Sequence, residues 1–381
     1  MADLSLKNLG IGLASTLLAG AISVAAATGV GASTAGHDHP AGSYVYTESN
    51  QTSAGGGNAV LAFWVASGGS LTSIGTFATG GDGTGAGLGS QGAVTLAGGG
   101  HALLVVNAGS NTVSYFRILS NGSLRLVDIA PSGGIDPVSV TASGRRVAVL
   151  NQGSKTVASL VLTSHALAPS SHAAVSLSPA AATPEQVGFT PSGDQVIVTE
   201  KVSSSIDTFK VTADGQLTGL HDTASTGAAP YGFGFSAGGE AIVSDAGGGA
   251  GGVSAATSYR VGEAGALHPI SEVGESQAAA CWLVVNATGN RAYLANAGSG
   301  TVSSYNIGPG AGLTLRSAVA ATVGVHPIDE VTGAGWFFVL TSTEIASAPV
   351  STSGDLGAVN QSAASGLPAA TSGLALVTVS A

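Results

Sequence analysis

Residues 105–124 read VVNAGSNTVSYFRILSNGSL. An apolar, β-branched run ends in a small Asn/Gly/Ser turn, a second run follows, and a further Asn-Gly-Ser turn closes it. Two such runs around a tight turn are a hairpin signal. The same pattern, Asn-x-Gly-Ser-x-Thr-Val, spans Asn107 to Val113, Asn151 to Val157 and Asn296 to Val302.

On either side of this stretch, two other anchors keep the same spacing. Pro137, Pro184, Pro230 and Pro327 each open an apolar strand, at intervals of 47, 46 and 97 residues, the last being two periods. A small turn followed by Leu recurs at Leu71, Leu124, Leu167, Leu217, Leu267, Leu313 and Leu356. One unit reads as four short strands, for example Ala93 to Leu96, His101 to Asn107, Thr112 to Leu119 and Ser123 to Ile129. Four strands in about 45 residues make a propeller blade, and seven copies predict an all-β, seven-bladed propeller. Blade one opens at Tyr44-Val45-Tyr46-Thr47 without its innermost strand, while Gly373 to Val379 is an orphan strand at the other terminus. Joining them closes the ring and removes a sheet edge.

Composition agrees and excludes other classes. Of 381 residues, 59 are Gly, 8% are charged and 44% are hydrophobic, which fits neither a disordered chain nor a coiled coil. A formal charge of −10 repels phosphate backbones and anionic lipid heads, so nucleic acid is not an expected partner. The single cysteine, Cys281, permits no internal disulfide and makes a poor zinc site. Residues 1–32 read as a secretory signal: Lys7 precedes a charge-free run from Leu9 to Ala27, with small-residue exits at Ala25-Ala26-Ala27 and Val30-Gly31-Ala32. Residues 33–41 then form a linker and 42–381 the propeller, secreted or displayed at the cell surface. No later run is long enough to span a bilayer.

The run VVNAGSNTVSYFRI followed by NGSL, and blade four, TPEQVGFTPSGDQVIVTEKVSSSIDTFKVTADGQL at 183–217, resemble the lactonase-type seven-bladed propellers. That group contains bacterial 6-phosphogluconolactonase and fungal carboxymuconate lactonizing enzyme. YLANAGSGTVSSYNI at 293–307 is also similar to YVTN-type surface propellers. The resemblance implies hydrolysis or formation of a lactone, by His and Arg at the starts of inner strands and a Glu at the end of a second strand. Here Gly92-Ala93-Val94, Pro137-Val138-Ser139 and Pro184-Glu185-Gln186 stand where basic residues are expected. Glu200, in VTEK, keeps the acidic position and is the first catalytic candidate, with Glu185 and His326 next.

Strand starts give an inventory of the channel mouth, where Gln91, Asp136, Gln186, Tyr231, Trp282 and Asp329 are the candidate contacts for a small-molecule ligand, with Glu330 beside them. This set is acidic and aromatic and holds no Arg or Lys. Its condition for a calcium site would be convergence of four carboxylates. No motif asks for a metal or another cofactor: the Gly-rich stretches Gly80 to Gly92 and 245–257 lack the strand-to-helix setting of a phosphate cradle and read as surface loops. Two functions remain open, a lactonase and a non-catalytic extracellular binding or scaffold propeller.

Overall fold

The computed structural model describes residues 41–178, 183–249, 251–324 and 326–380; the expected signal segment lies outside them. Ala35–Ala381 forms one unit. Seven antiparallel sheets succeed one another along the chain, six with four strands and one with five. Blade three carries the extra strand, Val175–Ser176, paired beside Leu167–Pro169 on Thr156–Leu162.

The innermost strands are Ser372–Val379 for blade one, then Val94–Ala97, Pro137–Ser143, Pro184–Phe189, Pro230–Phe235, Ala280–Val285 and Asp329–Gly333. Each adjoins the next, and Asp329–Gly333 adjoins Ser372–Val379, so the ring is closed. The closing strand pairs with Gly42–Glu48 as expected, in a register from Gly42 opposite Val379 to Glu48 opposite Ser372.

The core lies between blades rather than at one centre, because each sheet has two apolar faces that only its neighbours can cover. Leu104 and Val106 of blade two pack on Val147 and Val149 of blade three. Ile197 and Ile206 of blade four meet Phe233 and Tyr259 of blade five. This stacking leaves the strand starts facing one end of the channel and the first-to-second strand turns facing the other.

Candidate active site at the channel mouth

The hairpin motif has a physical role. The second strands of blades one to six end in Glu48, Asn107, Asn151, Glu200, Asp245 and Asn296, and each side chain is at most 1% exposed. Blade seven has Leu340 there. Five of the six reach side-chain hydroxyls or amides of the adjoining turns and strands, and Asn151 Nδ2 instead donates to the Ser132 carbonyl at 3.2 Å. Asn107 Nδ2 donates to Ser114 Oγ at 2.8 Å and Thr112 Oγ1 at 3.0 Å, and Asn296 Nδ2 does the same with Ser303 and Thr301. Glu48 accepts from Asn58 Nδ2 at 2.7 Å. Glu200 sits in this series, fully buried, accepting from Ser203 Oγ at 2.8 Å and Ser178 Oγ at 3.4 Å. Burial and a proton shared with Asp207 hold its carboxyl up at about 8.

The Gly80 to Gly92 stretch is only in part a surface loop, which corrects the expectation. Residues 88–91 turn inward and fill the channel mouth. Leu88 N–H donates to Ser372 Oγ at 3.2 Å, and Ser90 Oγ donates to the Val138 carbonyl at 2.8 Å. Tyr231 Oη donates to the Gly89 carbonyl, and Trp282 Nε1 donates to that of Ser90 at 3.0 Å. Gln91 spans the ring: its N–H donates to Glu185 O at 3.1 Å, its Nε2 to Leu283 O at 2.8 Å, and its Oε1 accepts from Leu283 N at 3.1 Å. Blades one, three, four, five and six are thus tied to one short segment. Gly89 stands at φ +63°, and a Cβ on Gly232 would strike Gln91 Oε1, so both glycines are required by this path.

These bonds set an expected result. Gln91→Ala strands a buried N–H and a buried carbonyl of Leu283, at about 1 to 3 kcal/mol each. Urea unfolding should show a loss of roughly 2 to 5 kcal/mol; an unchanged midpoint would mean that the mouth is open in solution.

Beneath the segment, the ligand candidates are occupied by the protein's own backbone. Gln186 repeats the Gln91 geometry on the neighbouring blade, donating to Phe233 O at 3.2 Å and accepting from Phe233 N at 2.7 Å. Tyr231 and Trp282 stand edge to face with centroids 5.1 Å apart. Asp329 accepts from the backbone of Glu330 at 2.8 Å and Leu374 at 2.9 Å, joining blade seven to the closing strand. Its carboxyl is raised by burial to about 7, and that of Glu330 rises well above the usual range through burial and the neighbouring Asp329. Asp136 and His326 lie at the rim, Asp136 half-buried and His326 exposed, both at left-handed φ. Among the described residues no group of three or more His, Cys, Asp or Glu is placed to hold a metal ion.

One cluster of buried groups differs from the rest in having a cation near it. Glu185 is 2% exposed and its Oε2 has no hydrogen-bond partner. It occupies a bulge between Pro184 and Gln186 in the pairing with the second strand, which frees its side chain from the alternation. Burial raises its carboxyl to about 8 against the pull of Lys201. The Lys201 ammonium lies 5.1 Å from the Tyr231 ring centroid and also lowers the buried Cys281 thiol, which burial nevertheless pushes up to about 12. Cys281 is therefore a neutral thiol and no nucleophile. Lys201 is the cation that the strand-start inventory lacks: it comes from the residue after a second strand, not from the start of an inner one.

Residues 37–179 match the family model described as lactonase, seven-bladed β-propeller. The likeness is to the lactonase propellers. Among solved structures, a protein of Bacteroides fragilis described as a 6-phosphogluconolactonase superposes with a TM-score of 0.68 at 17% identity, covering 88% of this chain and 98% of its own. A periplasmic gluconolactonase of Pseudomonas aeruginosa gives 0.66 at 18%, covering 88% and 100%. A Lactobacillus plantarum protein gives 0.69 at 17%, covering 88% and 99%. At these identities the neighbours establish the seven-bladed propeller fold alone. No curated protein matches the chain in sequence.

Proposed function

We propose that the protein hydrolyses a small, neutral lactone at the blade four and five side of the mouth. The observation that carries this reading is a buried Glu185 carboxyl that feels the charge of Lys201, whose ammonium lies over the Tyr231 ring, so that a proton acceptor and a cation serve the same side of the mouth. Ionised Glu185 takes a proton from water, the hydroxide adds to the lactone carbonyl carbon, and Lys201 stabilises the developing oxyanion. The acyl carbon to ring-oxygen bond then breaks, and protonated Glu185 returns its proton to the departing alkoxide. Water and lactone become one hydroxy acid, with no other reactant. A single ammonium among acidic groups suits a neutral ring better than a phosphosugar or dicarboxylate. Access requires the substrate to displace Ser90 and Gln91 from the mouth.

A panel of sugar and aliphatic lactones tests this. Glu185→Gln should lower kcat/KM by about 10² to 10⁴ and Lys201→Met by about 10². Glu200→Gln, altering a side chain enclosed between blades, should change stability more than rate. Loss of turnover in Glu200→Gln with Glu185→Gln unaffected would move the base to Glu200.

One observation favours the second reading, a non-catalytic binding propeller: the mouth is filled by the chain's own residues 88–91. No turnover on any lactone of the panel would select it.

A further inference from the structure

On the face opposite the mouth, blades two and three part around a cleft of about 740 Å³. It is bounded by the first-to-second strand turns of the two blades, at Gly98–His101 and Gly144–Arg145, and by the turn at Leu162–Ser164. Buried Tyr115 and Ile118 and the Leu162 side chain give it an apolar floor. His101, Arg117 and Arg145 stand around that floor, and no carboxylate among the described residues lines it. This is a departure for a chain with 11 Lys and Arg against 21 Asp and Glu.

Both guanidinium groups are held in place. Arg117 Nη2 donates to the Ser164 carbonyl at 2.8 Å, and Arg145 Nε to the Leu162 carbonyl at 3.3 Å. Each bond uses one of five N–H donors, fixes the fork and leaves the others for a ligand. Arg125 lies opposite Arg117 in the strand register and adds to the local positive charge. A nearby acid, Asp128, is engaged on both oxygens by backbone N–H groups, of Ile129 at 2.9 Å and Leu167 at 3.0 Å. The net negative charge of the chain does not cancel this field, because a Debye length of about 8 Å at physiological salt screens distant carboxylates.

We propose that this cleft binds a small organic carboxylate, the guanidinium groups taking the carboxylate and the Tyr115, Ile118 and Leu162 floor an apolar body. Its volume suits one such ligand. The site is independent of the channel chemistry and lies at the other end of the molecule, so either can fail alone.

The test is titration of the whole protein with benzoate, read by calorimetry and by the His101 imidazole proton signal. Benzamide serves as the neutral isostere and inorganic phosphate as the head group without a body. Saturable benzoate binding that moves the His101 signal is expected, at least about tenfold weaker in Arg117→Met and Arg145→Met and for benzamide, with Arg145→Lys between. Arg145 is exposed, so its variant folds, which a thermal melt verifies. Failure to saturate with benzoate, equal binding by both Met variants, or phosphate binding as tight as benzoate would each overturn the proposal.

Discussion

Deletion of Gly373 to Ala381 is expected to abolish cooperative folding. This strand is the innermost of blade one, and among the described residues its pairing with Gly42–Glu48 is what closes the ring. Its faces enter two cores: Ala375 and Val377 pack with Tyr44, Leu103 and Phe116, while Leu374 packs with Val45, Phe338 and Leu340. Leu374 N–H also holds the Asp329 carboxylate, which truncation leaves buried with one oxygen unpaired. Burying Leu374 and Val377 contributes roughly 1.5 to 3 kcal/mol each, partly buried Leu376 and the lost strand pairing add to that, and the total stability is about 5 to 15 kcal/mol. The edge left along Gly42–Glu48 invites aggregation. Circular dichroism with urea titration is the measurement; a cooperative transition at an unchanged midpoint would show that the ring closes by another route.

The second large effect is on pH. Burial raises Glu185, Glu200 and Asp245 to about 8 and Glu275 and Asp329 to about 7, with Glu48 and Glu330 well above the usual range. In the unfolded chain these groups ionise near pH 4 to 4.5. Between those limits the folded state binds more protons than the unfolded one, so stability is greatest below about pH 4.5 for these groups and falls as pH rises toward 8. Asp194 and Asp355 act in the opposite sense, lowered by hydroxyl and Arg316 hydrogen bonds, but both are surface groups whose contribution is screened. If Glu185, Glu200, Asp245, Glu275 and Asp329 each bind a proton only about a hundredfold more tightly in the folded chain than in the unfolded one, the part of that stability lost between about pH 5 and pH 8.5 is roughly 8 kcal/mol. The melting temperature should therefore drop by on the order of 10 °C or more between about pH 5 and pH 8.5. A flat or rising melting temperature would mean that these carboxyls are solvated or ion-paired in solution.

The fold is legible in the sequence because its signals are local and repeated. Asn107, Asn151 and Asn296 mark the same turn in three blades, and prolines mark four strand starts. Closure is legible from a first blade that lacks its innermost strand and an orphan strand at Gly373 to Val379. The site is harder to read, for two physical reasons. Residues 88–91 are placed by Ser372 Oγ, Tyr231 Oη and Trp282 Nε1 and by backbone groups of Val138, Glu185 and Leu283, partners far along the chain that leave no mark on the local sequence. Ser90 and Gln91 look like any loop. Lys201 escapes a search for basic residues at strand starts, because it follows the strand that carries Glu200. The repeat does hold a signal for Glu200 itself: Glu48, Asp245 and Glu200 fill the slot that Asn holds in blades two, three and six.

The role of Glu185 as the working base at the mouth is read from the pH dependence of kcat/KM. With the carboxyl raised to about 8 by burial, the base is ionised only at higher pH, so kcat/KM on a turned-over lactone should rise with an inflection near 8. That inflection should vanish in Glu185→Gln, at temperatures where both proteins remain folded. A profile flat across that range, or one whose inflection persists in Glu185→Gln, would contradict the account.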